Sequence, residues 1–286
     1  MGRLKFILFL IAAVASFFVY NARGNGSKEP AEPSSPPISN FMGAGEGGED
    51  VSHDNSVTDF SGVGLVDPIG GISEQILKRK SYIVSYNKDT RCPNWVAWHL
   101  TSGHTTGDVG RMGNAFHEDF DVPEPRATNG DFYDSGFSRG HICPAGDNKW
   151  NRDAMYDTFL LSNICPQNAN LNSGVWNQIE MSCRRWADKY GDIYIISGPM
   201  FFRSSKREVI GENEVAVPDA FFKIILCLNR PKAIGFICRN TDGNRRKDQY
   251  VNTLRDVERL TGMHFFPSLD PDIRSAIESH ADIDEW

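Results

Sequence analysis

Between Gly136 and Glu180 lie residues that could do chemistry together: His141 behind Gly136, Ser138 and Gly140, then Asn163, Asn172 and Glu180. A histidine near its ordinary pKa of about 6.5 is largely neutral at physiological pH and can take a proton from water. Small residues ahead of it let a phosphate come close to the backbone. Amide and carboxylate oxygens suit a hard divalent cation that keeps several waters. Phosphodiester hydrolysis needs an activated water and positive charge on the phosphoryl oxygens, so these are the parts of a single-metal phosphodiesterase. Taken one at a time, the same residues have plainer uses. His141 could be a core or surface histidine, Asn163 a strand-end amide, Asn172 a helix cap, and Glu180 an exposed carboxylate paired with Arg184 at i,i+4.

The flanking elements must position these groups. Phe159 to Ile164 reads as an apolar strand. Leu171 to Tyr190 has helical spacing, with Trp176, Ile179, Cys183, Trp186 and Tyr190 forming an apolar stripe and Gly191 ending the helix. The stripe aromatics are core residues rather than base-stacking ones. On a straight helix Glu180 would lie about 80° around and about 12 Å along from Asn172, too far for both to grip one ion directly. Segments 81–86, 95–100, 193–197, 220–228 and 233–238 are β-branched or aromatic-rich and read as strands, with a turn at Asn229 to Lys232. A short helix over Asn252 to Thr261 is closed by Gly262, and Pro267 begins an acidic, loosely held tail. Between Thr101 and Asp134 little is periodic, which predicts a long, partly ordered surface connection able to help build a cleft. Strands and helices without regular βαβ alternation give an α+β fold.

The stretch resembles the ββα-metal (His-Me) finger of the DNA/RNA non-specific endonucleases. Ser138-Arg139-Gly140-His141 matches that family's Asp-Arg-Gly-His signature, and Leu161 to Gln167, Asn170 to Asn172 and Trp176 to Glu180 follow in order. Asn94 to Trp98, Ser197 to Pro199, Val217 to Lys223 and Leu260 to Phe266 look like family core segments, so the resemblance covers about residues 75 to 270. It implies a central, mostly antiparallel sheet flanked by helices, and a Mg²⁺-dependent endonuclease, with Mn²⁺ as a possible substitute. Such an enzyme cuts DNA and RNA without sequence preference and leaves 5′-phosphate ends. It assigns His141 as general base, Asn172 as the direct protein ligand of the metal, and Glu180 as a group acting through metal-bound water. Asn163 supports the site and contacts substrate or His141, while Arg139 and, by a looser alignment, Arg111 clamp phosphate through their guanidinium forks. Ser138 stands where the family has its first Asp, which implies reduced or retuned activity.

The 286 residues carry a formal charge of −7. Residues 26–61 hold −6 of it and residues 1–25 hold +3, which leaves −4 for the rest. A net negative chain is not what a phosphate-binding protein advertises, so any nucleic-acid contact must rest on local patches such as Arg184-Arg185, Lys206-Arg207 or Arg245 to Lys247. Arg3 and Lys5 ahead of the apolar run 6–20 read as a signal peptide or signal anchor over residues 1–25. Export to a periplasm or the exterior follows, or attachment to an inner membrane through residues 6–20. Residues 26–61, rich in Gly, Ser, Pro and acid, read as a disordered linker, and residues 62–286 as the nuclease domain. Six cysteines in an exported chain favour disulfides, and zinc spacing is absent. Oligomeric state, monomer or homodimer, stays open. Two rival readings remain: a phosphodiesterase acting on a small or lipid phosphate, and an inactive nucleic-acid- or envelope-binding protein.

Overall fold

The computed structural model describes residues 59–111, 116–202, 207–241 and 243–286. Strands β1 (Gln75–Lys78), β2 (Ile83–Asn87) and β3 (Cys92–Thr101) form an antiparallel meander. The finger follows: β4 (Ser138–His141), helix α1 (Arg152–Thr158), β5 (Ile164–Gln167), the short helix α2 (Ala169–Leu171) and the long helix α3 (Asn177–Tyr190). The chain then returns to the sheet as β6 (Asp192–Met200). A two-residue hairpin, β7 (Val209–Ile210) with β8 (Val215–Ala216), precedes β9 (Ala220–Cys227), β10 (Lys232–Arg239) and β11 (Val251–Asn252). Helices α4 (Leu254–Thr261) and α5 (Pro271–Ile277) complete the fold. The main sheet has seven strands in the order β1-β2-β3-β6-β9-β10-β11, all antiparallel, so the expected α+β class and central antiparallel sheet hold.

The central strands are apolar on both sides because both faces are covered. Val96, Trp98, Ile195, Phe221 and Ile225 pack with Ile179, Cys183 and Trp186 of α3. Their neighbours Trp95, Ala97, Ile196, Phe222 and Ile224 pack with Leu254 and Val257 of α4 and Ile277 of α5. Successive strand residues point to opposite faces, so a continuous apolar run feeds two cores. Along β9 that alternation puts Lys223 on the α3 side, with both neighbours, Phe222 and Ile224, in the other core.

Several sequence expectations change here. Phe159 to Ile164 is not a strand. A 3₁₀ turn spans Leu161–Asn163 and the strand begins at Ile164, because Asn163 bends the chain with its own side chain. The helix expected from Leu171 is interrupted over Asn172–Trp176, where Gly174 has φ −98° and ψ −114°. Residues after Pro267 are not loosely held. Ile277 of α5 is buried, Arg274 bonds the Phe265 carbonyl and Glu258, and Trp286 packs on Trp186 and Tyr190. Phe60 is already in the core, so the folded domain reaches back past the expected boundary at residue 62. The remaining calls on residues 1–58 lie outside the described residues. All six cysteines are buried free thiols, and the expected disulfides are absent. Parity of the cysteine count carries no geometry, and a disulfide needs two facing Cβ atoms.

Candidate active site

The finger is a two-stranded ladder followed by a broken helix. Ser138 pairs with Gln167, Gly140 with Cys165 and His141 with Ile164. A side chain on Gly140 would put its Cβ 2.3 Å from Gln167 Oε1, so this glycine leaves room for the buried Gln167 amide rather than for a phosphate. Asn163 locks the residues after His141. Its backbone oxygen accepts from the Ile142 N–H at 3.0 Å, and its side-chain oxygen accepts from the Cys143 N–H at 2.9 Å. Its amide nitrogen donates to the Cys143 and Thr158 carbonyls at 2.9 Å each. Asn163 is fully buried and every side-chain atom able to bond is used, so it holds the site and does not reach into it.

His141 sits against the rings of Phe159 and Phe116, with centroids 4.9 and 5.2 Å away. Its Nε2 has no hydrogen-bond partner among the described residues. Burial, and secondarily the positive charge of Arg111, depress its pKa to about 3, so the imidazole is neutral here. Arg139, two residues back on the same strand, lies over Phe116 and Phe132 at 5.5 and 5.2 Å and donates to the Asn129 carbonyl at 3.0 Å. Phe116 and Asn129 come from the long connection after Thr101, which therefore does help build the site. Arg111 is exposed, and its charge acts on both His141 and Glu180.

On the helix side the cap of α2 is Asn168, whose side chain accepts from the N–H groups of Asn170 and Leu171. That leaves Asn172 free of capping, half-exposed, and with no hydrogen bond to its side chain among the described residues. The break at Gly174 is pinned from the loop after β10. Asn244 accepts from the Val175 N–H at 2.9 Å and donates to the Asn170 carbonyl at 2.6 Å. Wide helical turns of this kind often occur at functional sites. Straight-helix geometry between Asn172 and Glu180 therefore does not apply. Glu180 is half-buried rather than exposed, and Arg184 gives its ion pair to the buried Asp147 at 2.7 Å instead of to Glu180. Burial raises the Glu180 carboxyl to about 7; Lys223 is the strongest charge pulling it down and Asp147 pushes it up. Cys143, two residues past His141, feels the charges of Asp147, Lys223 and Glu180. The charges of Asp147 and Lys223 thus act both on the segment just after His141 and on the helix that carries Glu180.

No group of three or more His, Cys, Asp or Glu able to hold a metal occurs among the described residues. What Asn172 offers instead is one open amide oxygen, which fits Mg²⁺, a cation seldom held in an all-protein cage, and does not fit zinc.

The family model for the DNA/RNA non-specific endonuclease matches residues 66–272. The chain belongs to that family. It is 40% identical to the mitochondrial nuclease EXOG of Xenopus laevis over 208 residues, covering 67% of this chain and 58% of that one. It is 34% identical to human mitochondrial endonuclease G over 209 residues, covering 68% of this chain and 70% of that one. The chain thus spans little more than half the length of its EXOG relatives. A crystal structure of an EndoG/EndoGI complex superposes with a TM-score of 0.64 at 28% identity, covering 69% of this chain and 87% of that one. These relatives overturn the reading of export to a periplasm or the exterior, because EXOG and endonuclease G are both mitochondrial by name. A basic start followed by an apolar run does not separate an export signal from an organelle-targeting segment when no acid precedes Glu29.

Proposed function

We propose that the chain is a metal-dependent endonuclease that hydrolyses phosphodiester bonds of DNA and RNA with little sequence preference, working in mitochondria. The observation that carries this is a neutral histidine with an open Nε2 on the finger strand, followed in the same finger by a broken helix whose Asn172 side chain is uncommitted. Asn172 would hold Mg²⁺, which supplies positive charge to the phosphoryl oxygens as negative charge builds. His141 takes the proton of the attacking water at Nε2, kept neutral by Phe116, Phe159 and Arg111. Glu180, ionised, accepts hydrogen bonds from waters next to Asn172 and orients them. Arg111, whose charge reaches His141, and Arg139, two residues before His141 on β4, neutralise phosphate, with Arg139 steadied between two phenylalanines. Low selectivity follows because contacts to phosphate carry no sequence information directly. Six free thiols are in keeping with a compartment that holds cysteines reduced.

The test is cleavage of supercoiled plasmid and of a structured RNA by purified protein in Mg²⁺, in Mn²⁺ and in EDTA. Cleavage of both polymers that stops in EDTA is expected. Intact polymers alongside hydrolysis of a small diester would replace this reading with the small-substrate phosphodiesterase. Metal-independent binding without cleavage would replace it with a binding protein.

A further inference from the structure

The ammonium of Lys223 is buried and without a hydrogen-bond partner among the described residues. Lys223 sits mid-strand in β9, in the run Phe221-Phe222-Lys223-Ile224-Ile225, and is completely buried. Its Nζ has no hydrogen-bond partner and no ion pair within 4 Å among the described residues. A buried, unpaired ammonium is costly, and a sequence chosen for stability alone would place an apolar residue here. Two indole faces partly compensate, those of Trp98 at 4.7 Å and Trp176 at 4.8 Å. Trp176 stands one helical turn before Glu180, at the start of α3 and just past the break at Gly174, so the lysine lies beneath the first turn of α3. Trp98, the other wall, donates to Asp147 at 3.1 Å, and Asp147 holds Arg184.

We propose that Lys223 is a positioning residue for cleavage: its buried ammonium holds Trp176 and Glu180 of the broken helix in place from beneath by cation–π and charge attraction. The proposal rests on the nuclease reading, and it adds a group that touches neither substrate nor metal. The titratable and charged groups around Lys223 and Glu180 are Asp147 from the turn after β4, Cys183 and Arg184 from α3, Cys143, Cys238 of β10, and Arg111. Among them Lys223 is the cation acting most strongly on Glu180. Its removal leaves Glu180 facing Asp147 with less opposing charge, so Glu180 should be harder to ionise.

The experiment compares wild type, Lys223→Met, Glu180→Gln and the double variant. Three quantities are read: the urea midpoint, kcat and KM against pH in Mg²⁺, and the ¹³C titration of the Glu180 carboxyl in metal-free protein. Lys223→Met should keep or raise the urea midpoint, lower kcat about ten-fold near pH 7 with KM little changed, and move the acid limb upward by about half a pH unit. Adding it to Glu180→Gln should cost little more, because the two act through each other. Wild-type kcat and an unmoved acid limb in Lys223→Met would overturn the proposal. So would a loss of activity that only tracks the unfolded fraction. If Lys223→Met does not fold, Lys223→Arg is read instead, and it should restore the wild-type limb with a partial loss of kcat. A wild type that never cleaves sinks the nuclease reading, and the positioning role with it. The ¹³C titration then still reports whether Lys223 and Glu180 are coupled, which separates the two failures.

Discussion

Replacing Asn163 with alanine removes three buried hydrogen bonds at once, those from the Cys143 N–H and to the Cys143 and Thr158 carbonyls. Each backbone group left without a partner costs about 1–3 kcal/mol when water cannot reach it. Residual partners and small shifts keep the sum near the low end, so Asn163→Ala should lose about 3 kcal/mol. That is a large share of the roughly 5–15 kcal/mol that holds a domain together. With a urea dependence of about 3 kcal/mol per molar for a domain of this size, the midpoint should fall by about 1 M. Asn163→Asp keeps the acceptor for Cys143 but sets a buried carboxylate against two carbonyls, and should fall further. The assay is urea unfolding followed by intrinsic tryptophan fluorescence, with cleavage measured on the folded fraction. An Asn163→Ala protein within about 0.5 kcal/mol of wild type but about 100-fold slower would refute the supporting role. It would show that Asn163 meets substrate or His141 directly.

Two further outcomes follow from the same geometry. The Glu180 carboxyl is raised to about 7, mainly by burial, while His141 is depressed to about 3. If ionised Glu180 is needed, activity should rise with pH through a midpoint set by Glu180 and not by the histidine. Bound Mg²⁺ should draw that midpoint below 7, and Glu180→Gln should flatten the limb; a limb unchanged in Glu180→Gln would show that another group sets it. Gly140→Ala would drive a Cβ into Gln167, 2.3 Å from its Oε1, and overpacking of this kind costs about 1–3 kcal/mol. Thermal unfolding of Gly140→Ala beside Gly140→Ala/Gln167→Ala checks it, since the second change should restore much of the loss.

Much of the fold is legible in the sequence because its signals are local. The strands around Trp95, Ile195 and Phe221 announce themselves by composition, and Gly191 and Gly262 end α3 and α4 with positive φ, as their positions suggest. What is not legible depends on partners far away along the chain. The turn at Asn163 looks like a continuing strand until its amide meets Cys143, 20 residues earlier. The break at Gly174 depends on Asn244, 69 residues beyond Val175, and no periodicity signals it. The plainer alternative for Glu180, an exposed carboxylate paired with Arg184, cannot be dismissed from spacing alone, because Asp147, which takes Arg184, lies 37 residues away. Gln167, Asp147 and Lys223 carry no spacing signal that singles them out. For Lys223 one hint was present: a lone lysine inside an otherwise apolar strand run is a charge that something must answer.

The central claim is that His141 takes the proton from the attacking water while Asn172 holds the metal. Single-turnover cleavage of a defined duplex at saturating Mg²⁺, comparing wild type with His141→Ala, tests it most directly. The account predicts a fall in rate of about 100- to 10,000-fold with duplex binding and fold unchanged, and partial recovery when imidazole is added. A His141→Ala protein that cleaves at the wild-type rate would contradict it, and would move the base to another residue of the finger.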